Sequence, residues 1–188
     1  MSESMGGFGR GPDAGAGREN KRLRVLFLCT GNSARSQIAE ALLGRRGARR
    51  FDAGSAGVQP RAEVHPDALV VLAEYGIDWS SHDPKGIESV QGTRWDFVIT
   101  VCDRAKESCP TFPGQPIFAH WGMPDPAEVE EPEARRRAFR DTLQHLSRRI
   151  DLMLAIPIDS LERYAVEERL RRIGLATADT SDVWVAKL

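Results

Sequence analysis

The chain has 188 residues, of which 41% are hydrophobic and 28% charged, and its net charge is −1. That length fits one domain with some chain left over, and the composition excludes collagen-like, fully disordered and strongly basic nucleic-acid-binding proteins. No apolar run approaches the roughly 18 residues of a membrane span, and no signal peptide is recognisable. We therefore expect a cytoplasmic protein with neither nucleic acid nor membrane as a partner.

The residue patterning divides the chain into a tail, one α/β domain and an extension. Residues 1–21 hold six glycines and show no periodicity, which predicts a disordered tail. In residues 22–156 apolar runs alternate with helical periodicity, which predicts an α/β domain. Its candidate strands lie at 25–29, 51–55, 95–102 and 116–119. One helix is expected directly after the first strand and another over 66–75. A long third helix has a buried stripe of Phe139, Leu143, Leu146, Ile150 and Met153.

The arginines of that last helix are expected to face water. Pro157 should end it, and residues 157–188 form an extension of unknown role. The first part of this extension has an amphipathic pattern, which predicts one charged helix that ends before Gly174 and covers the domain. The residues that mark this pattern are Leu161, Tyr164, Ala165, Glu168 and Ile173. The final residues 182–188 fit a strand or a tail.

The loop behind the first strand carries the strongest chemical signal. Five residues separate Cys29 from Arg35, and a helix begins directly afterwards. In such a turn, loop N–H groups and the helix N-terminus form an anion cradle, and a guanidinium adds two-point recognition of an oxyanion. The same positive field should lower the pKa of Cys29 from about 8.5 towards or below neutrality, which makes the thiolate a nucleophile. Alternatively, Cys29 is simply the last apolar residue of a strand.

Residues 25–40 resemble the phosphate loop of the low-molecular-weight protein tyrosine phosphatase superfamily. The resemblance implies a four-stranded parallel sheet flanked by helices, to which the C-terminal helical extension is added here. It also implies a general acid from a later loop, for which Asp125 is the candidate, although an Asp-Pro pair more often only starts a turn. The implied oxyanion-binding residues are Thr30, Gly31, Asn32, Ser33, Ala34, Arg35 and Ser36, with Asn32 suited to a left-handed position.

Cys102 and Cys109 bring the number of cysteines to three, and an odd number argues against a structural disulfide framework. Their spacing, and that of His82 and His120, does not match a zinc site, so no metal and no cofactor are expected. The segments 101–103, 109–110 and 120–126 together resemble the thioredoxin-coupled arsenate reductases of the same superfamily. Gln37 and the lack of a tyrosine after the Asp-Pro pair also depart from the phosphatase branch, and Ala34 replaces a cysteine that many members carry.

The resemblance implies a three-cysteine relay on arsenate, with phosphate and sulfate as competing oxyanions. Cys29 attacks arsenic while Asp125 protonates the leaving oxygen; Cys102 then attacks Cys29, and Cys109 attacks Cys102. If residues 103–108 are helical, the last two cysteines lie about 10 Å apart, whereas a disulfide needs Cα atoms within about 7 Å. The helix must then open on oxidation, and thioredoxin or a low-molecular-weight thiol would reduce the disulfide. The default oligomeric state is a monomer.

Two rival functions stay open at this point. A phosphatase would use Cys29, Arg35 and Asp125 and would leave Cys102 and Cys109 unexplained. A non-catalytic oxyanion or redox sensor would use the Gly-rich tail or the C-terminal segment to contact a partner, and the intact set of Cys29, Arg35 and Asp125 argues against it.

Some arsenate reductases of this superfamily hold a potassium ion beneath the loop, and three of its ligands resemble Asn32, Glu40 and Ser55. At the place of the fourth, an aspartate, this chain has Lys85. We therefore expect the Lys85 ammonium group to replace the ion and to contact Glu40 and the side-chain oxygens of Ser55 and Asn32. The alternative is a lysine on a solvated loop.

Overall fold

The computed structural model describes residues 22–176, so the predictions for 1–21 and 182–188 lie outside the described residues. Four strands and six α-helices form in the order expected of an α/β domain. The strands are β1 (Leu23–Cys29), β2 (Phe51–Gly57), β3 (Phe97–Thr100) and β4 (Ile117–His120). The helices are α1 (Arg35–Gly47), α2 (Pro66–Glu74), α3 (Glu88–Gln91), α4 (Asp103–Glu107), α5 (Pro132–Leu154) and α6 (Arg163–Leu175).

All neighbouring strands are parallel, and their order is β2-β1-β3-β4. The predicted fold class, a four-stranded parallel sheet flanked by helices with a C-terminal helix, is confirmed. The chain leaves β1 for β2 on one side and later reaches β3 on the other, so the strand order reverses at β1. In parallel α/β sheets, ligands bind outside the carboxyl ends of the strands at this reversal, and Cys29 ends β1 there.

The core supports the predicted elements, with local differences. The α5 stripe is buried as predicted, from Phe139 at 0% exposure to Met153 at 0%. Strand β3 is shorter than the predicted 95–102, since the Trp95 indole turns back to bond the Val90 carbonyl and Cys102 already precedes α4.

Among residues 22–176, no helix combines the length and apolar character that a membrane crossing requires.

Two details of the C-terminal part differ from the prediction. The buried face of α6 consists of Val166, Leu170 and Ile173, whereas Tyr164 is 75% exposed. The helix also continues through Gly174 instead of stopping before it. The glycine serves close packing, because a Cβ there would lie 1.9 Å from the His120 carbonyl oxygen of β4.

One arginine of α5 also differs from the expectation that these side chains face water. The Arg149 guanidinium is partly buried and donates to the Trp121 carbonyl at 2.7 Å and to the Gly174 carbonyl at 3.1 Å. Helical periodicity did not reveal this, because the carbonyls belong to a loop and to a later helix.

Candidate active site

The Cys29 loop, residues 29–36, connects β1 to α1 and is mostly buried. Asn32 adopts the predicted left-handed conformation, with φ at 47°, and its backbone N–H donates to Cys29 Sγ at 3.0 Å. The first N–H groups of α1 have no partner inside the helix, so they add further donors at this end of the sheet. The loop therefore has the local geometry of an anion cradle.

The bracing segment, residues 57–65, holds the carbonyl groups of this loop. At its start, only glycine fits at position 57, because a Cβ there would lie 2.7 Å from the Thr30 carbonyl oxygen. Engaging the loop carbonyls leaves N–H groups available on the cavity side. The four backbone donations are from Val58 to Cys29 (3.2 Å), Gln59 to Thr30 (2.9 Å), Arg61 to Gly31 (2.9 Å) and His65 to Ser33 (2.8 Å).

A chain of hydrogen bonds orients the Ser36 hydroxyl towards Cys29. Ser55 donates to Glu40 Oε2 at 2.5 Å and therefore accepts from the Asn32 side-chain amide at 2.7 Å. The same amide donates to Ser36 Oγ at 2.8 Å, so the Ser36 proton is free to point at Cys29 Sγ, 2.9 Å away. A thiolate at Cys29 has no proton to give, so in that state the Ser36 hydroxyl is the donor. The sulfur thus receives two donors, the Ser36 hydroxyl and the Asn32 N–H, which favour the thiolate.

Burial opposes these donors. Desolvation raises the pKa of the Cys29 thiol above its ordinary value and outweighs the hydrogen bonds of Ser36 and Asn32 and the charge of Arg35, which lower it. The expectation that the loop lowers this pKa towards or below neutrality is therefore wrong. Its physical reason is that the Cys29 residue, 2% exposed, has lost its hydration. A thiolate at Cys29 consequently depends on each donor that the loop supplies.

Arg35 and Asp125 meet across the loop. Asp125 accepts the Ala127 N–H at 3.1 Å as the cap of a short 3₁₀ turn, and its other oxygen lies 2.5 Å from Arg35 Nη2. The carboxylate thus both starts a turn and reaches the site. Arg35 Nη1 donates to the Met123 carbonyl at 3.0 Å, and in the described part of the chain its buried Nε has no partner. A tetrahedral oxyanion offers acceptors that match such a fork of donors.

Cys102 lies beside the Cys29 loop, directly before α4. It is 6% exposed, its Sγ is 3.3 Å from Thr30 Oγ1, and it lines the same cavity as Cys29. Helix α4 is held at its start by Asp103, whose carboxylate lies 3.1 Å from His120 Nε2. The relay segment, residues 102–109, therefore begins at the active site with few contacts of its own.

Cys109 follows α4 and is not among the residues that line the cavity. It is half-buried, and burial raises the pKa of its thiol. Residues 103–107 are helical, so α4 stands between Cys102 and Cys109 in the chain, and Cys109 follows one residue after the helix cap at Ser108. All three cysteines are free thiols. The structure brings two of the three predicted cysteines to one cavity and leaves the third outside it.

The Lys85 ammonium group makes only one of the three contacts expected for it. Its ammonium group lies 3.2 Å from Glu40 Oε1. The contacts with the other two residues differ from the expectation: Asn32 Oδ1 accepts the backbone N–H of Lys85 at 2.7 Å, and Ser55 turns its hydroxyl to Glu40. The physical reason is that the carboxylate attracts both the ammonium group and the Ser55 proton. The Lys85 side chain remains 39% exposed.

The cavity above the loop has a volume of about 880 Å³ and collects residues that follow all four strands. Sequence reasoning missed its charged rim, since no local pattern marks positions that only the sheet brings together. Within the described residues the lining contains no phenylalanine, tyrosine or tryptophan. The missed rim residues are Gln59, Arg61, Glu63, His65, Arg104 and Glu128.

Residues 24–165 match the family model described as low molecular weight phosphotyrosine protein phosphatase. The chain belongs to this family. It is 40% identical over 118 residues to an arsenate reductase of Brevibacillus brevis, covering 63% of this chain and 87% of that relative. It is also 36% identical over 132 residues to an arsenate reductase of Halalkalibacterium halodurans, covering 70% of this chain and 94% of that one.

A solved structure, a thioredoxin-dependent arsenate reductase of Corynebacterium glutamicum, superposes with a TM-score of 0.51 at 30% identity. The match covers 70% of this chain and 63% of the other. The family resemblance predicted from the loop and cysteine motifs is thus confirmed. Most of α6, which ends at Leu175, lies beyond the residues that the family model matches.

Proposed function

We propose that this protein reduces arsenate to arsenite by a three-cysteine thiol-disulfide relay that thioredoxin regenerates. The observation that carries the proposal is the presence of two free thiols, Cys29 and Cys102, in one oxyanion cavity. A single thiol is enough to form a covalent adduct, but removing the arsenic with two electrons needs a second one within reach. Relatives named arsenate reductases support the substrate.

The first step is attack of the Cys29 sulfur on arsenic. Arsenate binds the N–H groups of the Cys29 loop and the Arg35 fork, competing with Asp125 for the guanidinium and so releasing that carboxyl group towards the leaving oxygen. A sulfur–arsenic bond forms, an arsenic–oxygen bond breaks, and Asp125 as general acid supplies the proton that turns the oxygen into water. Phosphate and sulfate occupy the same donors as competitors.

The second step reduces arsenic. Cys102 attacks the Cys29 sulfur, the two electrons of the sulfur–arsenic bond pass to arsenic, and arsenite leaves behind a disulfide between Cys29 and Cys102. The Thr30 hydroxyl, 3.3 Å from Cys102 Sγ, is placed to support the attacking thiolate. Two thiols are oxidised to one disulfide while As(V) becomes As(III), so the electrons balance.

The third step restores Cys29. Cys109 attacks Cys102, which frees the Cys29 thiolate and moves the disulfide onto the pair 102–109. Because α4 stands between those cysteines in the chain, the helix opens in this step so that the two sulfurs can meet. A thioredoxin dithiol then reduces the disulfide, a proposal supported by the similarity to a thioredoxin-dependent arsenate reductase of Corynebacterium glutamicum.

A phosphomonoesterase is the second candidate, since the family model itself is named for phosphotyrosine phosphatases. Cys29, Arg35 and Asp125 are sufficient for that reaction. Against it, the described cavity lining contains no phenylalanine, tyrosine or tryptophan on which a phenolic ester could stack. The charged rim suits a small inorganic oxyanion better than an aromatic ring.

The test is arsenate-dependent oxidation of NADPH with thioredoxin and thioredoxin reductase, run beside hydrolysis of p-nitrophenyl phosphate. We expect turnover in the first assay and weak activity in the second. Phosphate hydrolysis without arsenate turnover, with either thioredoxin or glutathione as reductant, would replace the reductase proposal by the phosphatase.

Cys102→Ser is the variant that separates the two functions. It should eliminate arsenate turnover, because arsenic then has no second thiol to release it, while hydrolysis of p-nitrophenyl phosphate stays within about twofold. Loss of both activities would mean that Cys102 supports the site rather than the relay.

A further inference from the structure

The C-terminal helix is fastened to the chain that leads to Asp125. Trp121, which follows β4 and is 0% exposed, donates its indole N–H to the Leu170 carbonyl of α6 at 3.0 Å. The backbone of Gly174 lies so close to β4 that a Cβ would fall 1.9 Å from the His120 carbonyl oxygen. Helix α6 therefore packs directly on the start of the Asp125 loop, residues 121–128.

Arg149 of α5 joins the same two parts. One of its terminal nitrogens lies 2.7 Å from the Trp121 carbonyl oxygen and 3.5 Å from that of Gly122, and the other lies 3.1 Å from the Gly174 carbonyl oxygen. The Gly174 carbonyl is in the last turn of α6, where helix carbonyls lack partners and a cation is favourable. In residues 22–176 no carboxylate pairs with Arg149, so backbone carbonyls alone hold this partly buried charge.

The next carbonyl along the loop is held from the active site. Met123 accepts from Arg35 Nη1 at 3.0 Å, and the other terminal nitrogen of Arg35 meets Asp125. Two arginines thus engage three successive carbonyls, with Arg149 on Trp121 and Gly122 and Arg35 on Met123. When arsenate binds to Arg35, it competes with the bonds from Arg35 to Met123 and Asp125. The hydrogen bonds from Arg149 to Trp121 and Gly122 remain, and they keep the Asp125 carboxyl group in position.

We infer that Arg149 is a positioning residue which, with α6, fixes the Asp125 loop for proton transfer. The inference rests on the proposed function for the role of Asp125 as acid, but the loop restraint itself is independent of it. A carboxyl group that must meet one leaving oxygen loses rate when its loop samples other positions. Residues of α6 that lie outside the matched family region would then contribute to the efficiency of the site.

The first test uses Arg149→Met, which keeps much of the side-chain volume and removes the donors. The matched control is Arg171→Met, since Arg171 pairs with Glu167 and Glu168 on the outer surface of α6 itself. Within residues 121–127, amide hydrogen exchange at the hydrogen-bonded N–H groups of Trp121 and Ala127 should become about tenfold faster or more in the first variant and stay unchanged in the control. Unchanged exchange in Arg149→Met would overturn the restraint, whatever the enzyme's activity.

The second test asks whether Arg149 acts through Asp125. Arg149→Met should lower kcat for arsenate about tenfold with KM nearly unchanged, while alkylation of Cys29 keeps its rate. In the Asp125→Asn background the same substitution should have little further effect, because the acid is already lost. Equal losses in both backgrounds would indicate a general structural role and overturn the inference. Arg149→Lys should restore part of kcat.

Gly174→Ala provides a second route if Arg149→Met folds poorly. The added Cβ displaces α6 from β4 while Arg149 stays intact, so the same faster exchange in residues 121–127 is expected. If the unmodified protein reduces no arsenate, the proposed function fails. The exchange results still decide the restraint, because they need no turnover.

Discussion

The Cys29 loop and the relay segment lie side by side but are held in opposite ways. In the loop, Asn32 and Ser36 are 0% exposed, and the carbonyls are engaged by the bracing segment. In the relay segment, α4 has five residues, of which only Ala105 is buried, and the Asp103 side chain is 87% exposed. The anion cradle is thus formed in advance, whereas few contacts hold the segment that the proposed relay requires to open.

The largest expected effect tests the preformed side. Cys29→Ser should abolish arsenate reduction while leaving the melting temperature nearly unchanged, because an alcohol in this loop is far less ionised than a thiol. Arsenate-dependent NADPH oxidation and thermal unfolding measure both quantities. Substantial turnover in this variant would remove Cys29 as the nucleophile and with it the contrast between the two regions.

The next effect tests the segment that is held by few contacts. Cys109→Ser should release one equivalent of arsenite and then stop with Cys29 joined to Cys102, since the final exchange lacks its thiolate. Peptide mapping by mass spectrometry after arsenate treatment identifies the disulfide. Sustained turnover with thioredoxin, or free thiols at both remaining cysteines, would show that the relay segment has no such role.

The variant Arg35→Lys tests the oxyanion contacts of the preformed loop. We expect kcat/KM to fall about 100-fold, because an ammonium group cannot supply the planar two-point contact. Steady-state kinetics with arsenate measures the loss, and Arg61→Lys on the cavity rim is the control. Near-normal efficiency in Arg35→Lys would contradict the importance of the guanidinium fork.

Ser36→Ala tests the donors that oppose burial at Cys29. Because burial already raises the pKa of this thiol, the thiolate fraction is small at neutral pH and grows as the pH rises. Removing the Ser36 donor should raise the pKa further and slow iodoacetamide alkylation at pH 8 by about tenfold, with convergence at higher pH. The control is Ser89→Ala, whose hydroxyl bonds the Gly86 carbonyl at the surface. Identical pH profiles would argue against this hydrogen bond.

The smallest effect concerns support beneath the loop. Lys85→Ala leaves Glu40 without its ammonium partner, and we expect the melting temperature to fall by about 2–4 °C. Lys106→Ala, on exposed α4, should change it less. At matched ionic strength, potassium and sodium should give the unmodified protein the same melting temperature and KM. A potassium-specific rise, or no change in Lys85→Ala, would contradict support by the lysine.

The local pattern of residues predicted most elements and the family. Apolar runs and helical spacing depend on neighbours within a few positions, so β1, α1 and the α5 stripe could be read directly. The spacing of Cys29 and Arg35 likewise lies within one turn between a strand and a helix. The later cysteines and Asp125 were connected to that turn only through the family resemblance.

The tertiary structure decided what depends on atoms far apart along the chain. The bracing of the loop by residues 57–65, the charged rim and the contacts of Arg149 all join segments that no local pattern connects. The raised pKa of Cys29 belongs here as well, because desolvation depends on everything packed around the sulfur and can outweigh donors that the sequence does predict. The sequence therefore determined which chemical groups are present, and packing decided their surroundings.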